Sequence, residues 1–323
     1  MARSDLVLSL VTTGINGNLP LFVKTAEAIA EEARIRHQHH FAEKLAAAIS
    51  ENRPGADKNR GRLQELQNAF YEIYSDKTLS DLILPDTILT ACHELIEEHN
   101  RRDLLRSFNL EPRHRILLSG PPGNGKTTLA QAIANQLMQP LFIVKYEGIV
   151  SRYLGETAQQ LDKLFDYVKS HRCVLFFDEF DAISKDRDDD NDNGEMKRVV
   201  NSLLKQIDTL PSHVIVIGAT NHEKMLDKAI WRRFQLQLSL PRPTRSLATK
   251  WFDAFSERIG HSLGYSSATL SEKLEGLNFS ELEEFALDVQ RRYVLGLPES
   301  EKKIKAIVKD RLAIWVERAQ IMR

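Results

Sequence analysis

A glycine-rich segment constrains the fold of this chain more than any other feature. Residues 120–127 read Gly-Pro-Pro-Gly-Asn-Gly-Lys-Thr, which matches the pattern G-x-x-x-x-G-K-[ST], and an apolar run at 115–118 comes directly before it. A helical pattern follows at once, so the local order is strand, glycine loop and helix. Strands joined to helices in this way form parallel sheets that helices cover. The segment therefore predicts an α/β fold.

The same loop predicts a nucleoside triphosphate site. Its glycines allow successive backbone N–H groups to point at phosphate oxygens, and the following helix N-terminus adds the positive end of its dipole. Lys126 is expected to reach the β- and γ-phosphates, and the Thr127 hydroxyl to bind Mg²⁺. The predicted nucleotide-binding residues are Gly120, Pro121, Pro122, Gly123, Asn124, Gly125, Lys126, Thr127, Thr128 and Asp178.

Strand and helix patterns alternate along the middle of the chain. Apolar strand candidates occur at 115–119, 141–145, 174–177, 214–218 and 235–239. Helical patterns lie between most of them, which predicts a mostly parallel sheet with helices on both faces. We predict four segments: a small helical N-terminal region at 1–52, a linker and helix at 53–78, a P-loop NTPase domain at 79–244 and an all-helical lid at 245–323.

Polar residues follow two of these strand candidates. Asp178 and Glu179 come directly after the apolar run 173–177, and Asn221 follows the run 214–220. Because the carboxyl ends of parallel strands meet at one edge of a sheet, both groups are expected beside the glycine loop. Asp178 is then predicted to hold Mg²⁺ through a water molecule, and Glu179 to polarise the attacking water. Asn221 is predicted to contact the water or the γ-phosphate.

Two adjacent arginines, Arg232 and Arg233, belong to a block that begins ten residues after Asn221, at Trp231. If they reach the γ-phosphate of a neighbouring subunit, they act as arginine fingers, which contribute ~10³–10⁵ to the rate where measured. The alternative is that they are surface arginines that cap the end of a helix.

With these elements in this order, residues 79 to the C-terminus resemble the AAA family of ring-forming ATPases, and more narrowly its protein-remodelling clade. The block at 226–234 is similar to the second region of homology of that clade, although Gln235 stands where the family usually has an acid. The resemblance implies ATP and Mg²⁺ as cofactors and a homo-oligomer, normally a hexamer. It assigns Arg232 and Arg233 to the subunit interface.

The resemblance also implies a pore loop at Tyr153, Leu154 and Gly155 that grips the substrate. An aromatic side chain suits this role because it packs on many different peptide side chains. The acidic run at 185–194 falls where the family has a second pore loop, although such a run is ordinarily a solvated loop. Residues 80–83 fall where the family places backbone contacts to the adenine base. In the lid, Ser280 and Glu283 are predicted to form a capping box at the start of a helix.

Composition sets limits on the function. The net charge is −1 and the pI about 6.8, so no general attraction to nucleic acid is evident. No apolar run approaches the roughly 18 residues of a membrane span, and the N-terminus lacks a clear signal peptide, so we expect a cytoplasmic protein without a membrane partner. The cluster His37, His39 and His40 does not predict a metal site, because the three side chains do not share one helical face.

The favoured hypothesis is an ATP-hydrolysing ring motor that remodels, unfolds or disassembles protein substrates by threading them through a central pore, in the service of a partner enzyme. A protein substrate or partner protein is expected to dock on the N-terminal helices. The alternative is a nucleic-acid-linked switch of the loader or initiator type, which would need a basic appendage that the sequence does not show. A membrane-associated remodeller ranks last.

Overall fold

The computed structural model describes residues 4–15, 19–35, 70–145, 154–181, 193–223, 226, 228–297 and 300–321. The chain divides into two compact units, Met1–Glu65 and Leu66–Arg323, which are described separately. The three clustered histidines lie outside the described residues.

The first unit contains two helices, α1 (Ser4–Ile15) and α2 (Leu19–Ile35), which pack against each other. Ala26, Ile29 and Ala30 recur at helical spacing on α2 and are buried. The prediction of a helical N-terminal region is confirmed over these two helices.

The second unit contains a six-stranded sheet. Its strands are β1 (Phe70–Ile73), β2 (Arg115–Ser119), β3 (Leu141–Val144), β4 (Cys173–Phe177), β5 (Val214–Thr220) and β6 (Leu236–Ser239). A 3₁₀ turn lies at Leu79–Asp81, and the described helices between the strands are α3 (Asp86–Asn100), α4 (Arg102–Ser107), α5 (Lys126–Gln136), α6 (Leu154–Lys169), α7 (Asn193–Asp208) and α8 (Lys228–Trp231).

The strand order is β1-β3-β4-β5-β2-β6, and every pairing is parallel except that of β1 with β3. The glycine loop therefore leaves β2 between β5 and β6, and Ser119 at the end of β2 pairs with Thr220 at the end of β5. Every residue of β4 and β5 is buried, as expected for strands covered on both faces. The predicted mostly parallel α/β fold is confirmed.

Strand β1 has no counterpart among the predicted strands. It is four residues long, and only Phe70 is buried, since Tyr71 and Glu72 are exposed. A short, mostly exposed edge strand lacks the apolar run that identifies β2 to β5. Phe70 nevertheless packs on Phe142 of β3, with ring centroids 4.8 Å apart.

The C-terminal part of this unit contains four helices and no strand among its described residues. These helices are α9 (Arg245–Ile259), α10 (Ser267–Lys273), α11 (Phe279–Leu295) and α12 (Ser300–Ile321). Their core holds Phe252 and Phe285, with Trp315 of α12 edge-on to Phe285. None of the helices in the described parts of the chain combines the length and apolar character that a membrane span requires.

Candidate nucleotide site

Two glycines of the loop, Gly120 and Gly123, have a backbone conformation that is unfavourable for residues with a side chain. Gly120 has φ +135° and a Cβ there would lie 2.2 Å from the carbonyl oxygen of Leu240, which follows β6. Gly123 has φ +74° and a Cβ there would lie 2.6 Å from Oδ1 of Asn278 in the lid. Both positions therefore require glycine, through backbone conformation and through close approach.

Lys126, the first residue of α5, is buried and folds back over the loop. Its Nζ donates hydrogen bonds to the carbonyl oxygens of Gly120 (2.6 Å) and Pro121 (3.0 Å). Burial lowers the pKa of Lys126, while the carboxylates of Asp178 and Asp181 oppose this effect. The ammonium group thus lies against the loop carbonyls, where it can also meet phosphate oxygens.

Thr127, the second residue of α5, lies next to Asp178, which directly follows β4. The Thr127 hydroxyl donates to Oδ2 of Asp178 at 3.2 Å, and the Glu179 N–H donates to Oδ1 at 2.9 Å. A hydroxyl and a carboxylate side by side supply the hard oxygen ligands that Mg²⁺ prefers. The residues present therefore fit a magnesium ion.

Glu179 is exposed and has φ +48°, a conformation that is uncommon for a residue other than glycine. The next residue, Phe180, is buried and packs edge-on against Phe177 and Phe234, with ring centroids 5.9 and 5.6 Å apart. Its N–H donates to the carbonyl oxygen of Ala219 at 2.7 Å. The turn thus holds the Glu179 carboxylate toward solvent between two anchored neighbours, a strained arrangement that is common at functional sites.

Asp181 belongs to the same turn and was not predicted. Its carboxylate is buried, and Oδ1 accepts the Thr220 hydroxyl at 2.9 Å and the Asn221 N–H at 3.4 Å. Burial alone would raise its pKa, but the hydrogen bonds from Thr220 and the backbone outweigh burial, so that the pKa of Asp181 lies below its ordinary value. The one sequence signal was an acid flanked by the apolar residues Phe180 and Ala182.

The segment predicted to contact the base lies beside the loop. The Leu82 side chain comes within 4.0 Å of the position that a Cβ on Gly125 would occupy. Asp81 accepts the N–H and the hydroxyl of Thr78 at 2.7 and 2.8 Å, and these bonds lower the pKa of Asp81. Asn135 of α5 donates to the carbonyl oxygen of Lys77 at 2.8 Å, which ties this turn to the helix that follows the loop.

The lid contacts the loop directly. The carbonyl oxygen of Gly123 accepts the N–H of Ser280 at 3.0 Å and its hydroxyl at 3.3 Å. The predicted capping box at Ser280 and Glu283 is wrong by two residues: Asn278 accepts the Glu281 N–H, and Glu281 accepts the Asn278 N–H. Ser280 is the second residue of α11 rather than the residue before it, and its N–H and hydroxyl donate to Gly123 instead.

The two arginines have different surroundings. Arg232 is exposed, whereas Arg233 lies with its Nε 3.4 Å from Oδ2 of Asp208, the last residue of α7. Arg115 binds the other oxygen of the same carboxylate at 3.0 Å. Gln235 accepts the backbone N–H groups of His114 (2.9 Å) and Arg115 (3.2 Å), and β6 begins one residue later than predicted.

The predicted pore loops fall largely outside the described residues. Tyr153 is not described, and Leu154 and Gly155 are described only as the backbone at the start of α6. Of the acidic run 185–194, only the last two residues are described, at the start of α7. Both pore loops remain predictions.

A parallel sheet with this loop at the end of a central strand defines a P-loop nucleoside triphosphatase. The model of the family described as "ATPase family associated with various cellular activities (AAA)" matches residues 116–242. A Sinorhizobium fredii protein, "Uncharacterized AAA family ATPase y4kL", is 34% identical over 290 residues, which are 88% of this chain and 87% of that protein.

Two further relatives match over shorter regions. A "Putative 26S proteasome regulatory subunit homolog" of Methanothermobacter marburgensis is 30% identical over 70% of this chain and 60% of its own length. An "AAA ATPase forming ring-shaped complexes" of Corynebacterium diphtheriae is 32% identical over 62% of this chain and 42% of its own length. The chain belongs to the AAA family of ATPases, and the predicted ATP binding and ATPase activity are confirmed at the level of the family.

Proposed function

We propose that this ATPase forms a homo-oligomeric ring, a hexamer, that remodels or unfolds protein substrates by threading them through a central pore. The observation that carries the proposal is the convergence of Thr127, Asp178 and Glu179 on the glycine loop, together with an exposed Arg232. Two relatives support it: one is described as forming ring-shaped complexes, and another as a homolog of a proteasome regulatory subunit.

Hydrolysis follows from the placement of these side chains. Lys126 exchanges its bonds to the loop carbonyls for bonds to the β- and γ-phosphates of ATP. Thr127 and Asp178 hold Mg²⁺, which when bound neutralises the charge that develops on the phosphate oxygens. Glu179 orients the attacking water and accepts its proton, and Asn221 hydrogen-bonds the γ-phosphate or the water.

Arg232 is the better candidate for the finger that acts in the neighbouring subunit. Its side chain is exposed, whereas Arg233 is held by Asp208 of its own chain. Within the described parts of the chain Arg232 makes no ion pair, so its guanidinium can enter a neighbouring site without breaking one there. In this proposal, Arg233 supports the interface while Arg232 contacts the γ-phosphate.

The contact with the substrate is proposed for Tyr153, Leu154 and Gly155, which lead into α6. The N-terminal helices are proposed to dock a substrate or partner protein in the cytoplasm. Val7, Leu8 and Val11 of α1 are exposed apolar side chains, which suit a docking element.

A substrate trap tests this proposal. Glu179→Gln is expected to bind ATP, to hydrolyse it slowly and to retain client proteins, whereas Lys126→Ala is expected to retain none. Adding Tyr153→Ala to the trap should abolish retention, while the matched Tyr153→Phe should preserve it, because the aromatic ring remains. Retention of nucleic acid instead of protein would contradict threading and favour the loader or initiator alternative.

A further inference from the structure

The buried carboxylate of Asp181 has no direct part in the hydrolysis proposed above. It is 4% exposed, and a carboxylate is rarely so buried unless polar groups surround it. Its partners come from a distant part of the chain: Thr220 at the end of β5 and Asn221 immediately after it. Thr220 is itself fully buried, and its hydroxyl oxygen accepts the N–H of His222 at 3.0 Å.

These bonds join two segments that carry proposed reacting groups. Asp181 lies two residues after Glu179, and it binds the backbone of Asn221 directly. Between them, Phe180 donates its N–H to Ala219, which extends the pairing of β4 with β5 into the turn. Three hydrogen bonds therefore connect residues 180–181 with residues 219–221.

We propose that Asp181 is a positioning residue that fixes Asn221 relative to Glu179, so that the water-activating carboxylate and the phosphate-sensing amide act as one rigid unit. This inference rests on the proposed function, which gives Glu179 and Asn221 their roles. The left-handed backbone of Glu179 persists only where its surroundings over-determine it, and Phe180 and Asp181 supply such surroundings.

The charge of Asp181 matters as well as its shape. Hydrogen bonds to an ionised acceptor are shorter and stronger than bonds between neutral groups. An asparagine at this position would keep one acceptor oxygen but would place an NH₂ group in a buried site arranged around a carboxylate. Asp181→Asn should therefore loosen the unit without emptying the space that the side chain fills.

The test separates positioning from folding with three variants of the full chain: Asp181→Asn, Thr220→Val and Thr220→Ser. Since a positioned general base contributes about 10²–10⁴ to the rate, we expect Asp181→Asn and Thr220→Val to lower kcat by about 10- to 100-fold. KM for ATP should change by less than about threefold, because the loss falls on the transition state. Thr220→Ser keeps the hydroxyl, so its kcat should stay near the parent value.

Two controls make the outcome decisive. Thr249→Val removes a half-buried hydroxyl from the lid and should leave kcat unchanged. In a Glu179→Gln background, Asp181→Asn should cause no further loss, because residues that act as a unit are not additive. Melting temperatures of all variants show which of them fold.

The proposal is overturned if Asp181→Asn and Thr220→Val fold and keep kcat within about twofold of the parent while Glu179→Gln is inactive. That result would leave the proposed function intact. Parent-like hydrolysis by Glu179→Gln would instead contradict the proposed function, and the positioning role with it.

Discussion

Gln235 accepts hydrogen bonds from backbone N–H groups, at a position where the family usually has an acid. Its Oε1 accepts two N–H groups, those of His114 and Arg115. A carboxylate offers the same acceptor, so we expect Gln235→Glu to leave stability within about 0.5 kcal/mol of the parent. Gln235→Leu removes the acceptor and should lower stability by about 1 kcal/mol. Urea unfolding of the two variants side by side measures the difference, and equal stabilities would show that these hydrogen bonds contribute nothing.

The sequence predicts a site residue when the pattern that identifies it lies within a few neighbouring residues. Lys126 and Thr127 belong to one short pattern, and Asp178 ends an apolar strand. Asp181 was missed because its partner Thr220 lies 39 residues away. Ser280 and Asn278 both precede an acid at the spacing of a capping box, so the sequence pattern alone could not show that the helix begins after Asn278.

At the scale of elements, burial on both faces made the central strands predictable. β4 and β5 are buried along their whole length and β2 is buried from Ile116 onward, so each of these strands carries a run of apolar residues. β1 pairs at the sheet edge with mostly exposed side chains, so its sequence carries no such signal. The pore segments were assigned by resemblance alone.

The effect of the contact between the loop and the lid on stability and ATP binding can be measured by comparing two glycine substitutions. Gly123 and Gly260 have nearly the same φ, +74° and +73°, but a Cβ would meet Asn278 at Gly123 and nothing within 4 Å at Gly260. Gly260→Ala should therefore cost only the backbone strain of about 1–2 kcal/mol. Gly123→Ala should cost more and should also weaken ATP binding, because Asn278 or the loop must move.

Thermal unfolding and ATP titration of both variants check this prediction. Equal shifts in melting temperature, with unchanged ATP affinity for Gly123→Ala, would mean that the lid does not bear on the loop.

At the scale of the whole molecule, the proposed ring makes a prediction about mixtures. Arg232→Ala and Glu179→Gln should each be nearly inactive alone, since an arginine finger contributes ~10³–10⁵ to the rate. Mixed subunits form some interfaces in which Glu179 of one subunit faces Arg232 of the next. With random equal mixing, about a quarter of the interfaces are complete in a head-to-tail ring.

ATPase activity of the mixture therefore should rise well above that of either variant. The control replaces Glu179→Gln by the double variant Arg232→Ala/Glu179→Gln, which supplies no arginine and should restore nothing. Failure of the first mixture, despite shown co-assembly, would place the arginine in its own subunit's site.

Two buried histidines predict how stability depends on pH. Burial lowers the pKa of His99, whose Nε2 lies 2.7 Å from the carbonyl oxygen of Arg113, and burial also lowers the pKa of His114. The unfolded chain takes up protons at the ordinary pKa of about 6.5, whereas the folded chain resists them. The unfolded state thus binds more protons below about pH 6.5, and stability, complete above that pH, falls as the pH decreases through it.

We expect a lower melting temperature at pH 5.5 than at pH 7.5, by about 2–4 °C for each kcal/mol lost. His99→Gln should reduce this decrease, whereas the same change at the exposed His93 should not. A pH dependence that His99→Gln leaves unaltered would assign the effect to other groups.

The hydrogen bonds from Ser280 to Gly123 have a consequence for regulation. A protein that binds the lid and displaces the start of α11 must break these bonds and so alter the loop that holds the phosphates. Thermodynamic linkage then requires symmetry: if such an effector lowers the affinity for ATP by some factor, ATP lowers the affinity for the effector by the same factor. The affinity of the lid for its effector would therefore differ between the ATP-bound and the ATP-free protein.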